Sequence, residues 1–294
     1  MGVAATIEVM PGSFGAYVDG VVSTLADPEA VQLVQAALVA HHVVVVRSVA
    51  PTRAEYATFG RHFGEPIEFF DKRSRNIELP ELIEIHNAPS TPAAMRDGAM
   101  HWHQDSTYEA VPAGVTMLLA EEAPDVGNET LFANLIAAYD ALDTATKTRI
   151  EDLVVRHDPQ GGKVALPGER RGGERRSDRV VPEVHHPLVV HHPTTGERAL
   201  YGISGTAAGI VGLDDDEAIG LLMALKQHAL RPEFRQQATA ATGSILIWDN
   251  FAVMHCATPT LYSDEPGRRR TLFRISTRAS VCGMIGTPRF GARL

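Results

Sequence analysis

The chain has 294 residues, of which 44% are hydrophobic and 21% charged, as is ordinary for a soluble globular protein. Its net charge of -9 argues against general nucleic-acid binding, which needs a basic surface. Membrane spanning and secretion are not expected, because no long apolar run and no signal peptide occur. The two cysteines, Cys256 and Cys282, are too few for a disulfide framework, so we expect a cytoplasmic protein.

The predicted elements are mostly short strands. In chain order they are a β-rich stretch over 5–25, a helix opened by Asp27-Pro28, a strand over 42–47, a helix from Pro51-Thr52 to Gly64, strands over 82–85 and 115–120, two helical pieces within 134–155 broken near Asp143, strands over 187–191 and 198–203, a helix over 215–229, and strands over 244–248 and 271–277. This pattern is typical of a jelly roll with helices outside it. No GxGxxG or GxxxxGK[ST] phosphate motif occurs. We predict a mainly β fold with flanking helices (α+β), a cupin-like double-stranded β-helix, in one domain over 1–294.

Residues 158–183 are rich in Gly, Pro and Arg and show no periodicity. Loops of this length in compact domains are usually functional or disordered, so we predict a lid, with a merely solvated loop as the alternative. The arginines at 170–179 and seven more, without an acidic residue, over 268–294 suit a small anionic ligand better than a polyanion.

The candidate site begins with His103-Gln104-Asp105. On a strand, residues two apart place both side chains on one face. An imidazole and a carboxylate aimed at one point are two thirds of a 2-His-1-carboxylate facial triad, which suits non-haem Fe(II) and leaves positions open. An H-x-D tripeptide is common by chance, and His101 shares the same predicted face, so the motif needs support from the rest of the chain.

That support comes from a resemblance that runs from roughly residue 28 to residue 278. The segments that carry it are Val44-Val45-Val46-Arg47 through Phe59-Gly60-Arg61-His62-Phe63-Gly64, Trp102-His103-Gln104-Asp105-Ser106, Gly127-Asn128-Glu129-Thr130, Ala137-Ala138-Tyr139-Asp140-Ala141-Leu142, Trp248-Asp249-Asn250 with His255, and Arg269-Arg270 with Arg274. Together and in this order they resemble the TauD/TfdA family of Fe(II)- and 2-oxoglutarate-dependent dioxygenases.

The resemblance implies a catalytic metal site and a co-substrate site. His103, Asp105 and His255 would be the iron ligands, while Arg270 and the Thr130 hydroxyl would hold the distal carboxylate of 2-oxoglutarate. A planar guanidinium can make a bidentate, charge-assisted contact with a carboxylate. The cofactor would be Fe(II), with 2-oxoglutarate and O2 as co-substrates. The implied reaction releases succinate and CO2 and oxidises a C–H bond of a small molecule.

Three departures from the family pattern affect this assignment. Asn128 replaces the second glycine of a Gly-Gly-x-Thr turn. The 15 residues from His255 to Arg270 exceed the usual spacing, which we attribute to a longer loop over 262–267, and Arg269 is the alternative anchor. The taurine enzymes carry a histidine and an asparagine that are missing from 66–70 and 97–100, so we do not expect taurine as the substrate.

The substrate prediction is a small anionic molecule with an apolar part. It rests on Arg274, which the resemblance places near the substrate. It also rests on Phe69, Phe70 and Tyr108, which we expect near the mouth of the candidate site. The presence of Asp105 favours hydroxylation over halogenation. Homo-oligomerisation stays open. Two rival classes also stay open: a jelly-roll metal-binding protein without oxygenase activity, and a zinc hydrolase with the same ligands.

Overall fold

The computed structural model describes residues 5–21, 25–68, 76–91, 98–124, 126–158, 161–169 and 182–278. The strands in this part of the chain are β1 (Thr6–Val9), β2 (Ala16–Asp19), β3 (Val43–Val46), β4 (Ile83–His86), β5 (Ala113–Glu122), β6 (Glu129–Asn134), β7 (Val154–His157), β8 (Val184–Pro187), β9 (Val189–His191), β10 (Arg198–Leu200), β11 (Ala207–Ile210), β12 (Arg235–Thr239), β13 (Ile245–Asp249), β14 (Val253–Ala257) and β15 (Thr271–Arg278). The helices are α1 (Pro28–His41), α2 (Arg53–Arg61), α3 (Leu135–Asp140), α4 (Thr144–Ile150) and α5 (Asp215–Ala229), with a 3-10 turn at Pro232–Phe234.

The strands form two principal sheets and two small ones. The largest has seven strands in the order β1-β2-β3-β13-β5-β15-β4, antiparallel except for the parallel β2–β3 pair. A three-stranded sheet, β12-β6-β14, is the second. The small sheets are β11-β7-β8 and β10-β9. The predicted fold class, mainly β with a jelly-roll core and flanking helices, is confirmed.

The central strands β3 and β13 of the large sheet are buried on both faces, which explains their continuous apolar sequences. Val44 and Val46 of β3 belong to a core shared with α1 and α2, whereas Val45 points into the other core, which includes residues of β6, β14 and α5. On β15, Phe273 and Ile275 face the helices and Leu272 faces the second core. Alternate residues of β15, including Arg274, are therefore directed towards the side that carries the candidate site.

Helix starts follow the sequence signals. Asp27 caps α1, with proline in its first turn. Thr52 and Glu55 form a capping box at α2, and Asp214 caps α5 at the predicted bounds 215–229. After α2, Gly64 has φ of +140°, and a Cβ there would lie 2.3 Å from the carbonyl oxygen of Arg278. Only glycine permits this approach of the turn to β15.

Some elements were missed or misplaced by the sequence analysis. The strands β6, β7, β11, β12 and β14 were not predicted. Strand β11 is built of small residues, β12 is largely polar, and the first residues of β7 lie in the segment 134–155 that was predicted to be helical. The predicted strand over 187–191 is divided between β8 and β9. Among the described helices, none has both the length and the apolar character that crossing a membrane requires. The single domain over 1–294 stays a prediction, and the arginines of the predicted lid lie outside the described residues.

Candidate metal and co-substrate site

His103, Asp105 and His255 converge on one point. Nε2 of His103 is 3.8 Å from Oδ1 of Asp105, and Nε2 of His255 is 3.7 Å from Oδ2 of Asp105. All three prospective ligand atoms lie within 4.8 Å of one another. In the described part of the chain this is the one such cluster of His, Cys, Asp and Glu. The residues at this point are thus two imidazoles and one carboxylate, a set that can bind a divalent cation on one face.

The backbone that carries the first two residues is not the strand that was predicted. His103 forms an isolated antiparallel bridge with His255, with N···O distances of 2.9 and 2.8 Å. The chain then enters a turn in which Ser106 has φ of +56°. The prediction of a strand through Asp105 was therefore wrong. The two side chains still meet, because the bridge aligns His103 with β14 and the turn carries Asp105 back towards it.

Asn250 supports this irregular segment from behind. Its Oδ1 accepts hydrogen bonds from the Asp105 backbone N–H and from the Trp248 indole N–H, both at 3.2 Å. Its backbone carbonyl accepts from Nε2 of Gln104 at 2.6 Å, and its Nδ2 donates to the Thr116 hydroxyl at 3.0 Å. The Trp248-Asp249-Asn250 motif thus holds the backbone that carries Asp105, a role that the sequence alone did not reveal.

Burial keeps both imidazoles neutral. It lowers the pKa of His103 to about 3, with a further contribution from His255, and it lowers the pKa of His255 to about 4. Burial alone would raise the pKa of Asp105, but the electrostatic effects of His255, Arg274 and His103 outweigh it and bring the pKa to about 2. Neutral imidazoles and an ionised carboxylate are the protonation states that metal ligation requires.

The hydrogen bonds of the cluster also fit a metal. Nδ1 of His103 donates to the carbonyl of His101 at 2.8 Å, which leaves the lone pair on Nε2, the atom that faces Asp105. The His101 ring stacks on His103 with centroids 4.6 Å apart, so His101 lies behind the cluster. Among the described residues, Oδ2 of Asp105 and Nδ1 of His255 are buried without a hydrogen-bond partner. A buried carboxylate oxygen in that condition is costly unless a cation binds it.

A buried arginine lies at a second point of the site. The Arg270 side chain donates from Nε to Oδ1 of Asn128 at 2.6 Å, and its backbone N–H donates to Oδ1 of Asn87 at 2.7 Å. Arg270 is 8% exposed, and it makes no ion pair with any described residue. Burial lowers its pKa to about 10, against the opposing effect of Glu129. An unpaired buried guanidinium of this kind is suited to an anionic ligand.

Thr130 and Arg269 are the other two residues considered for the co-substrate carboxylate. Thr130 is buried on β6, on the same face as Phe132, which pairs with His255 of the neighbouring strand. Arg269 is half exposed and forms an ion pair with Glu122 at 3.1 Å. The geometry therefore favours Arg270 over the alternative Arg269 as an anion anchor.

Of the residues suggested for the substrate, two are described. Nη1 of Arg274 is 3.4 Å from Oδ1 of Asp105, so this guanidinium lies beside the group formed by His103, Asp105 and His255. Tyr108 is partly buried three residues after Asp105, and burial raises its pKa to about 12. Phe69 and Phe70 lie outside the described residues, as does the arginine-rich segment 170–179.

A family model described as "Taurine catabolism dioxygenase TauD, TfdA family" matches residues 6–276. The chain belongs to the TauD/TfdA family. The resemblance inferred from the motifs is confirmed over nearly the whole chain, and the protein is an oxidoreductase of the dioxygenase class.

Similar proteins of known name fall in the same family. The chain is 33% identical to the (S)-phenoxypropionate/alpha-ketoglutarate-dioxygenase of Sphingobium herbicidovorans over 88% of this chain and 91% of that protein. It is 30% identical to the alpha-ketoglutarate-dependent 2,4-dichlorophenoxyacetate dioxygenase of Cupriavidus pinatubonensis, over 72% and 77%. It is 28% identical to pentalenolactone F synthase of Streptomyces arenae, over 92% and 94%.

Solved structures agree in fold. A taurine dioxygenase from Burkholderia xenovorans has a TM-score of 0.76 and 28% identity, covering 95% of this chain and 91% of its own. The structure of AAD-2 in complex with Mn(II) and N-oxalylglycine has a TM-score of 0.74 and 26% identity, covering 95% and 98%. The overall architecture of the TauD/TfdA family therefore extends through this chain.

Proposed function

We propose that the protein is an Fe(II)- and 2-oxoglutarate-dependent dioxygenase that hydroxylates a C–H bond of a small carboxylic acid with an aryloxy or similar apolar part. The observation that carries the proposal is the pairing of the His103, Asp105 and His255 cluster with a buried Arg270 that has no described carboxylate partner. A zinc hydrolase or a simple metal-binding module has no need of that buried cation.

His103, Asp105 and His255 would hold the iron. Nε2 of each imidazole and the Asp105 carboxylate are the donors, kept in their ligating protonation states by burial and charge. When bound, Fe(II) supplies the O2 chemistry that couples decarboxylation of a 2-oxo acid to oxidation of a C–H bond. A 2-His-1-carboxylate set with open positions suits this chemistry.

Arg270 would bind the distal carboxylate of 2-oxoglutarate. Asn128 occupies the Nε–H of the guanidinium, so the two terminal NH2 groups are the donors for an incoming carboxylate. The Thr130 hydroxyl would be an additional donor, because it is buried on the strand that pairs with β14. These two residues would fix the distal end of the co-substrate.

Arg274 would bind the carboxylate of the prime substrate. It is a cation beside Asp105 with a side chain 21% exposed, so it can reach a ligand that enters from solvent. The relatives named for phenoxypropionate and 2,4-dichlorophenoxyacetate make aryloxyalkanoic acids the first class to test. Tyr108 would contribute a neutral hydroxyl, since burial raises its pKa to about 12, far above neutral pH.

The test is succinate formation by the Fe(II)-loaded protein with 2-oxoglutarate, O2 and one candidate acid at a time. The panel contains both enantiomers of 2-phenoxypropionate, phenoxyacetate, a linear alkyl sulfate and taurine. Arg274→Gln should raise KM for the carboxylic acid that works, and Arg278→Gln is the matched control, since Arg278 lies on the same strand and is more exposed. If the candidate substrate is consumed without oxygen, without succinate formation and with zinc in place of iron, the hydrolase is the correct function.

A further inference from the structure

A lysine of α5 is fully buried although it takes no part in the proposed reaction. Lys226 has a side-chain exposure of 0%, beside the apolar stripe formed by Leu222, Leu225 and Ala229. Burial lowers its pKa, while the nearby Glu169 carboxylate opposes that shift. Lysine is almost never fully buried without a partner, because desolvating an ammonium group is costly. The position of this lysine therefore depends on the group that it contacts.

Nζ of Lys226 donates to the Val164 carbonyl at 3.4 Å, and its charged partner is Glu169. Its Oε2 accepts from Nζ of Lys226 at 2.5 Å and from the backbone N–H of Leu166 at 2.8 Å. Its Oε1 accepts from the backbone N–H of Trp102 at 2.7 Å. The carboxylate thus has one oxygen on the lysine and the other on the residue that immediately precedes the proposed ligand His103.

Trp102 belongs to a segment that no sheet holds. His103 has only the single bridge to His255, and the next backbone hydrogen bond to β14 runs from the Ala257 N–H to the Ala99 carbonyl at 2.9 Å. Both backbone groups of Trp102 are therefore held by side chains. The Ser204 hydroxyl donates to the carbonyl of Trp102, and Glu169 accepts from its N–H. Gly205 packs closely behind, since a Cβ there would lie 3.1 Å from Cβ of His103. A shift of Trp102 would consequently move His103.

We propose that Glu169, held by Lys226, is a positioning residue for the metal site: it fixes the backbone of Trp102 and so sets the geometry of the His103 ligand. The inference rests on the proposed function in one respect, namely that His103 binds the metal. Through Lys226 and Glu169, helix α5 therefore supports the segment of Trp102 and His103, which is distant from it in sequence.

The experiment compares two double variants of the full-length protein that differ only in the acceptor offered to Trp102. In Glu169→Gln/Lys226→Met the ion pair is removed but an amide oxygen remains for the Trp102 N–H. In Glu169→Leu/Lys226→Met the ion pair and the acceptor are both removed. Replacing both members of a buried pair by apolar groups is often nearly neutral for stability. Glu169→Met/Lys226→Met serves if the leucine variant does not fold.

The readout is the Kd for Co(II), and for Fe(II) without oxygen, by calorimetry, together with the thermal unfolding of the metal-free protein. The expected result is that the leucine double variant binds metal about 10-fold more weakly at unchanged Tm, as changes behind metal ligands commonly cause, while the glutamine double variant stays within about 3-fold of the unaltered protein. The matched control is Lys163→Met, because Lys163 ties the same segment to the same helix through Asp215 at 2.5 Å, on the surface.

Equal metal affinity in the two double variants would overturn the proposal and leave the pair a purely structural one. A loss of affinity that follows Tm equally in all variants, Lys163→Met included, would also overturn it. Absence of metal binding in the unaltered protein would instead refute the proposed function, so the two failures are distinguishable.

Discussion

Replacing Arg270 by Gln should weaken 2-oxoglutarate binding without weakening the fold. The change removes a buried positive charge and shortens the side chain that contacts Asn128. In the proposed complex it also removes a pair of hydrogen bonds to a carboxylate. Such charge-assisted hydrogen bonds contribute about 1.5 to 3 kcal/mol each. For the pair we therefore expect a loss of about 3 to 6 kcal/mol, or roughly 10²- to 10⁴-fold in Kd.

The effect on stability should have the opposite sign. Burial lowers the pKa of Arg270 from its ordinary 12.5 to about 10, which at 1.36 kcal/mol per pKa unit is a burial cost of about 3 kcal/mol. Below pH 10 the guanidinium is charged in both the folded and the unfolded protein, so the folded state bears this cost at neutral pH. The neutral Gln relieves it, and the lost packing offsets part of the gain.

The binding assay is isothermal titration calorimetry of the metal-loaded protein with 2-oxoglutarate. Urea unfolding of the ligand-free protein measures the stability. Arg269→Gln is the matched control, since Arg269 is the exposed neighbour that pairs with Glu122. The reasoning is refuted if Arg270→Gln and Arg269→Gln bind 2-oxoglutarate equally well. It is also refuted if the Arg270 variant loses stability by several kcal/mol, because the guanidinium would then be a structural group and not an uncompensated one.

Three further predictions concern the site and its supports. Asn128→Gly should weaken 2-oxoglutarate binding about 5-fold, because it removes one hydrogen bond to Arg270 that contributes roughly 1 kcal/mol. The Kd for Co(II) should not change. Calorimetry with each ligand checks this prediction, and weakened metal binding would contradict it. The metal-free protein should lose stability as the pH falls from about 6.5 towards 4. In the folded state the pKa values of His103 and His255 are about 3 and 4, below their ordinary 6.5. The unfolded chain therefore takes up protons first as the pH falls, which favours unfolding. Urea unfolding at pH 7.5 and pH 5 should show up to about 2 kcal/mol of loss per histidine, whereas equal stability at both values would mean that the imidazoles are accessible and charged. Gly64→Ala should destabilise the protein by more than 1 kcal/mol, since its left-handed backbone and its contact with β15 exclude a Cβ, and an unchanged Tm would refute this.

The sequence was sufficient for the parts of the fold and site that depend on local signals. The helix over 215–229 was predicted at its observed bounds because Asp214 and three acidic residues mark its start. Strand β13 was predicted to within a residue because its apolar run is buried on both faces. The spacing of His103 and Asp105 predicted that their side chains meet, although the backbone between them was assigned to the wrong element.

The supports of the site could not be predicted, because they are long-range. Asn250 and Glu169 act on the segment of His103 from 145 and 67 residues away in sequence, and neither contact leaves a periodic pattern. The same holds for Asn128, which replaces glycine and accepts a hydrogen bond from Arg270, 142 residues away in sequence. Local periodicity identifies helices and strands. It does not indicate which distant side chain will hydrogen-bond a backbone group that has no neighbouring strand.

The most direct test of the central claim is an anaerobic visible spectrum of the protein with Fe(II), before and after addition of 2-oxoglutarate. If His103, Asp105 and His255 hold the iron and Arg270 holds the co-substrate, a metal-to-ligand charge-transfer band should appear only when both are present. The band should be absent in His255→Ala and should require far more 2-oxoglutarate in Arg270→Gln. A protein that binds Fe(II) at these residues yet gives no band at saturating 2-oxoglutarate would contradict the account.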